Sequence, residues 1–349
     1  MKKYSYAFTF LLLFILQGAI YGQAYFQHTY SNIDYEAGSV SIITADGGYL
    51  IGGTSGTSPF GLSKIFLVKT DVNGTIQWTK NYGGSVSEYL ASIIQNPDGS
   101  YILVGTTFSF NTQPYGNLYM LKTDVNGTLL WSKHFGLSGY DYGYSVQQTS
   151  DGGYIIGGLT SSIGAGYYDY YILKTDANGN GMWATSIGGG ANDQGYSIAI
   201  LDDGSYLVAG QSNSFGPPQQ MVVPYLMLLC KLDVSGNVMW SKTYSAGGNC
   251  ICQQMIKTAD GGCIMAGWTD GAGAGVQDIY VVKTDSAGNA QWSKVIGAAN
   301  GDFSLSVCEN PAGGYMLGGY TESSGAGGQD MLLVSLDAAG TINWATTYG

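Results

Sequence analysis

The chain has no arginine, only two histidines and seven prolines among 349 residues, and charged side chains make up 11% of it. Each scarcity excludes something. Arginine reads bases and clamps phosphates, so its absence, with a net charge of −11, argues against nucleic acid as a partner. Two histidines, His28 and His134, leave little from which to assemble a zinc site or a histidine-based triad. Both fall in expected outer strands of different repeats and read as surface residues. Long apolar runs are scarce too. The one at residues 8–16 follows Lys2 and Lys3 and precedes the small residues Gly22 and Ala24. That pattern predicts a secretory signal peptide over residues 1–24 rather than a membrane anchor, and a mature chain with no integral membrane segment.

Cysteine is sparse and unevenly placed. Cys230, Cys250, Cys252, Cys263 and Cys308 all lie in the second half, and five is an odd number. They do not form a disulfide framework; the favoured reading is small buried hydrophobes, with a single bridge such as Cys252 with Cys263 as the alternative.

What the chain has in quantity is glycine, 55 residues, and tyrosine, 28. Both follow a repeat. An apolar segment opened by a turn and closed by glycine recurs at 46–53, 98–105, 151–158, 203–210, 260–267 and 312–319. A second stretch, Asp-x-Asn/Ser/Ala-Gly-x-x-x-Trp, recurs at 71–78, 124–131, 176–183, 233–240, 285–292 and 337–344. Asp-Gly is a strong two-residue hairpin signal, because glycine accepts the positive φ that such turns need. Each unit therefore reads as four short strands, here named A to D in chain order. In the third unit these fall at 143–148, 154–158, 170–175 and around Trp183. Six units of ~52 residues with no helical period predict an all-β fold, a β-propeller of six four-stranded blades, in one domain over residues 25–349. Residues 25–30 repeat the strand D pattern, with Phe26 in the tryptophan slot and Tyr30 in the slot of Tyr82 and Tyr348. Seven blades is the alternative count. The repeated tryptophan reads as a wedge between neighbouring blades.

The residues 141–146, 151–160 and 173–183, with Gly188 and Gly189, resemble kelch-type repeats and, more closely, the repeats of bacterial secreted β-propellers. The resemblance spans essentially all of 25–349. It implies a secreted or bacterial cell-surface location and little about activity. The turn motif is also loosely similar to bulb-type lectin repeats and to the Asp box of sialidases. The lectin sugar-binding pattern is missing, however, and sialidases need arginines.

Two features point to where function would sit. All length variation lies between the end of strand B and the end of strand C, so the B–C loops vary while the turns stay fixed. Loops on a rigid scaffold commonly carry binding. Their face is expected to hold Phe60, Phe108, Phe110, Tyr115, Tyr167, Phe215, Trp268 and Tyr320. The second feature is an acidic slot ten residues before each A–B turn: Glu36, Glu88, Asp141, Asp193, Cys250 and Asp302. If strand A is innermost, these residues ring a channel mouth on the same face. One reading has each carboxylate bonding backbone amides of its own or the next blade's link. The other is a cation or basic-ligand site. No cofactor is expected, Ca²⁺ at this slot being the one candidate. The Asp-x-Asn-Gly turns read as side chains bonding their own backbone rather than as calcium loops. Lys80, Lys133, Lys242 and Lys294 read as guards of an edge strand.

These readings favour a non-catalytic module binding an extracellular glycan or protein, with candidate ligand-binding residues Glu36, Glu88, Asp141, Asp193, Asp302, Trp268, Tyr320, Phe108 and Tyr115. A carboxylate-based hydrolase or lyase, and a purely structural surface component, are the alternatives.

Overall fold

A computed structural model describes Tyr30 and residues 35–56, 62–110, 114–215 and 224–349. The signal segment, Phe26, His28 and Phe60 lie outside the described residues. Every regular element described is a β-strand, and the strands form six four-stranded antiparallel sheets, each in simple A-B-C-D order. The fold is a six-bladed β-propeller. Blades 1 and 2 (residues 35–82 and 88–135) belong to a compact unit ending at Phe135. Blades 3 to 6 (141–187, 193–244, 250–296 and 302–348) belong to a second, beginning at Gly136.

Blade 3 shows why the repeat folds this way. Strand A (Asp141–Gln148) turns at Asp151-Gly152 into strand B (Tyr154–Thr160), where Gly152 has φ +79°. The Asp151 carboxylate accepts the Gly153 amide (2.9 Å) and the Thr149 hydroxyl (2.5 Å), which closes the turn from within. Strands B and C (Asp169–Thr175) are buried along their whole length, so neither shows the apolar–polar alternation of a half-exposed strand. The chain then turns at Asp176, which accepts the Asn178 and Asn180 amides at 2.9 and 2.8 Å. Asp176 is thus engaged by its own turn, as the sequence suggested. Strand D (Gly181–Ile187) is largely exposed.

The apolar core lies between blades rather than within them. One cluster joins Ile155, Tyr170 and Ile172 of blade 3 to Ile198, Val208 and Leu228 of blade 4, with Trp183 packed against it. Equivalent clusters join blades 1 and 2, blades 4 and 5, and blades 5 and 6. Four of the tryptophans sit against the turn of the next blade: Trp78 against Gly127, Trp183 against Gly236, Trp240 against Gly288 and Trp292 against Gly340. A tyrosine at the end of strand D adds a hydrogen bond to the same turn. Tyr82 donates to the Gly127 carbonyl and Tyr244 to the Gly288 carbonyl, both at 2.6 Å. Tyr30 donates to the Gly74 carbonyl at 2.7 Å. It therefore offers blade 1 the contact that a preceding blade's tyrosine offers elsewhere.

A second device crosses five of the six A–B turns. Asp46, Asp98, Asp151, Asp203 and Asp260 pair with Lys69, Lys122, Lys174, Lys231 and Lys283 of strand C. Lys69 is only 2% exposed, and it also donates to the Thr70 carbonyl and to Gln77. The hydrogen bonds from Lys174 and Thr149 hold the Asp151 carboxyl down to about 2. Blade 6 has Ala312 and Ser335 at these two positions, so acid and lysine are missing together.

No disulfide joins any of the cysteines; four are buried and Cys308 is exposed. Burial pushes the Cys230 thiol up to about 12 and the Cys263 thiol to about 11. A native chain is therefore expected to give one fast-reacting thiol with a disulfide reagent, and five after unfolding. Any fast-reacting thiol left in the Cys308→Ser variant would show that the buried set is accessible.

Candidate functional site

The acidic slot is an internal clamp. In blades 2, 3, 4 and 6 it opens strand A and reaches back four residues to an amide in the link before that strand. Glu88 accepts the Gly84 amide (3.0 Å), Asp141 the Leu137 amide (3.1 Å), Asp193 the Gly189 amide (2.8 Å) and Asp302 the Ala298 amide (2.8 Å). In blade 5 the Cys250 thiol takes the Ala246 amide at 3.3 Å, which explains how a cysteine fills an acidic position. The same carboxylates accept a serine just past strand B: Ser109 on Glu88, Ser162 on Asp141 (2.6 Å), Ser214 on Asp193 (2.6 Å) and Ser323 on Asp302 (2.8 Å). Glu88, Asp141, Asp193 and Asp302 are buried. Glu36 is half-buried and pairs across the sheet with Ser55. These contacts match the reading in which each carboxylate ties its own link, here to the start of the B–C loop.

The aromatic candidates fall into separate groups. In blade 2, Phe108 meets Tyr89 edge-on at 6.2 Å, and Tyr115 is half-buried just before strand C (Asn117–Thr123). Phe110 stacks on His134 at 6.1 Å, on the exposed strand D, so that histidine is a surface residue. In the second unit, Trp268 and Tyr320 are brought together by a residue that the loops did not advertise. Phe303, the second residue of strand A in blade 6 (Asp302–Glu309), pairs across the sheet with Tyr320 and stacks on it at 4.6 Å and 21°. Trp268 of blade 5 meets the Phe303 ring edge-on at 5.7 Å. All three are half-buried.

Polar groups border this patch. At Gly301 the Phe303 ring and the Glu322 carboxylate stand side by side, 2.8 and 3.4 Å from where a Cβ would project. Gln329 donates to the Glu322 carboxylate at 2.9 Å, and Asn300 donates its side-chain amide to the Glu322 carbonyl at 3.0 Å. Burial, and then the charge of Glu322, raises the Tyr320 hydroxyl, which stays protonated and able to donate. Three rings at one blade junction, edged by an exposed carboxylate and two amides, can take an amphipathic ligand: apolar faces on the rings, hydroxyls on the rim.

The sequence singled out Trp268 and Tyr320 from the loop face but not Phe303, Glu322 or Gln329, which the structure places beside them. The signal for Phe303 was its aromatic neighbour across the B strand, which becomes visible only once the A–B register is known.

No family model matches the chain, and no curated protein matches it. Solved structures do. Sqt1 from Chaetomium thermophilum aligns over 89% of this chain and 72% of its own, at 11% identity and a TM-score of 0.51. An ACO/RPE65 chimera aligns over 93% of this chain and 72% of its own, at 12% identity and a TM-score of 0.50. The WD40 domain of Neurospora crassa Pan2 aligns over 81% and 86%, at 12% identity and 0.47. At such identities a likeness is one of fold alone.

Proposed function

We propose that the protein is a secreted or cell-surface, non-catalytic β-propeller that binds a glycan at the Trp268–Phe303–Tyr320 patch. The stacked Phe303–Tyr320 pair carries this reading. Two parallel rings with a tryptophan edge beside them offer a hydrophobic platform matched to the apolar face of a pyranose. Glu322, Gln329 and Asn300 supply acceptors and donors at hydroxyl height. The non-catalytic part rests on the acidic slot. Its carboxylates are committed to link amides and serine hydroxyls inside the blades, which leaves them poorly placed for acid–base work on a substrate. The secreted location rests on the signal-like pattern of residues 1–24 and on the resemblance of the repeats to secreted propellers.

A glycan array with the intact protein, followed by calorimetry on the best ligand, tests this. Phe303→Ala and Trp268→Ala should each weaken binding by about tenfold or more, a loss of ~1.4 kcal/mol. Phe110→Ala, in the other unit, should leave it unchanged. Equal binding by all of these proteins would discard the patch.

A further inference from the structure

The blade junctions differ in one buried charge. The first residue of strand C in blade 3, Asp169, lies beside the slot acid of the next blade, Asp193. The Tyr168 and Asn192 backbones bridge, and the Asp193 amide donates to the Tyr168 carbonyl at 2.6 Å. Both carboxylates press on one point. A Cβ on Gly188 would stand 1.7 Å from Asp169 Oδ1 and 2.7 Å from Asp193 Oδ2. The pair recurs between blades 5 and 6, where a Cβ on Gly297 would stand 1.9 Å from Asp278 Oδ1 and 2.9 Å from Asp302 Oδ2.

These side chains are almost fully buried: Asp169 is 1% exposed, Asp193 and Asp278 0%, and Asp302 3%. Asp169 uses Oδ2 for the Ala165 amide (2.8 Å), and Asp278 uses Oδ2 for the Gly275 amide (3.1 Å). Their Oδ1 atoms, and Oδ1 of Asp193, are buried with no hydrogen-bond partner. Buried polar atoms are nearly always satisfied, and two adjacent buried carboxylates cannot both ionise unaided.

The junction between blades 1 and 2 shows what this place in the fold accepts. The position of Asp169 is there held by Lys64, whose ammonium pairs with Glu88 at 3.3 Å. It donates also to the link carbonyls of Gly84 and Val86. One junction thus holds a cation of its own, surrounded by a carboxylate and two carbonyls. Between blades 4 and 5 the two positions are Leu226 and Cys250, and neither needs one. Of these four junctions, the two Asp–Asp ones alone keep the slot carboxylate and lack the positive charge. The corresponding link carbonyls, Gly189 with Ala191 and Ala298 with Asn300, crowd the glycine-rich loops at Gly166 and Gly275. Those loops are the ones whose amides hold Asp169 and Asp278.

We propose that each Asp–Asp junction, Asp169 with Asp193 and Asp278 with Asp302, binds a calcium ion in the place that Lys64 fills between blades 1 and 2. The donors are all oxygen: two carboxylates and backbone carbonyls from an irregular loop. That set suits a hard divalent cation with tolerant geometry, whereas Mg²⁺ demands a strict octahedron and gives up its water reluctantly. The ion neutralises the pair and ties two blades together.

The test is calorimetric titration of Ca²⁺ into the EDTA-stripped full chain at pH 7.5, with thermal unfolding in EDTA, CaCl₂ and MgCl₂. Saturating Ca²⁺ should raise the unfolding midpoint by about 5 °C or more, and Mg²⁺ by much less. Asp169→Lys and Asp278→Lys copy the Lys64 junction. Each should lower the calcium stoichiometry by one while keeping the midpoint in EDTA at or above that of the unaltered chain. If a lysine variant fails to fold, Asp169→Asn should still lose one ion. Unchanged stoichiometry in these variants, or no calcium response at all, overturns the proposal. So does a midpoint in EDTA that rises from pH 7.5 to 5 while calcium does nothing, which would assign the pairs to a shared proton.

Discussion

Gly158→Ala is expected to cost about 4 kcal/mol or more and to leave much of the chain unfolded or insoluble at 25 °C. A Cβ at this position would stand 1.8 Å from the Tyr142 carbonyl oxygen and 2.9 Å from its carbon, in a neighbouring strand that has nowhere to go. The cause is a bulge. Gly158 pairs with Gly143 while Gly157 pairs with Ser145, so Tyr144 is an extra residue in strand A, and the bend pushes the Tyr142 carbonyl across the face of strand B. The arrangement recurs in every blade. Cβ atoms on Gly53, Gly105, Gly210, Gly267 and Gly319 would stand 1.8–1.9 Å from the carbonyls of Ala37, Tyr89, Gln194, Ile251 and Phe303. The residue just before need not be glycine: it is Gly157 in blade 3 but Val104, Ala209 and Ala266 in blades 2, 4 and 5. A Cβ on Gly157 would meet only the Ile198 side chain, at 3.2 Å. Gly157→Ala should therefore change stability by no more than about 1 kcal/mol. Urea unfolding of the two variants, followed by circular dichroism, checks the pair. Similar midpoints would refute the carbonyl clash.

Local chemistry made the blades legible in the sequence. An Asp-Gly turn needs its glycine and closes with its own aspartate, so five copies, with Ala312-Gly313 as the sixth, at near-regular spacing announce six hairpins, and the strand positions follow. In blade 3 the observed strand A begins at Asp141 rather than at 143, because the slot acid is already paired with Thr160. What depends on neighbours was harder to read. The pairing of Asp151 with Lys174 spans the turn, and its one trace in the sequence is the joint loss of both partners at Ala312 and Ser335. Asp169 and Asp278 were passed over because they end loops of variable length. Their partners, Asp193 and Asp302, come from the next blade, so only the link between blades brings the two acids together. Phe303 escaped for the same reason, since its stacking on Tyr320 is a matter of register.

Trp183→Ala should lower stability by about 3 kcal/mol, the lower end of the usual cost of deleting a packed tryptophan. The indole leans on blade 4. Its Cζ3 and Cη2 atoms would lie 2.7 and 2.9 Å from a Cβ on Gly236, which has φ +86°, and its ring centre is 6.3 Å from that of Tyr206. Glycine at the turn thus answers two needs at once, a left-handed backbone and a flat seat for the preceding blade's ring. Removing the ring breaks the cover over the cluster formed by Ile155, Ile172, Val208 and Leu228. Trp183 is only half-buried, however, so water can reach much of the space left and no sealed cavity forms, which keeps the loss from the upper end of the range. Met239→Ala provides the contrast: it too lies on an outer strand next to a repeat tryptophan, but it is exposed and should shift stability by no more than about 0.5 kcal/mol. Chemical unfolding of both variants measures the difference. If Trp183→Ala unfolds like Met239→Ala, the ring is not a wedge between blades, and the six tryptophans become candidates for a binding surface of their own.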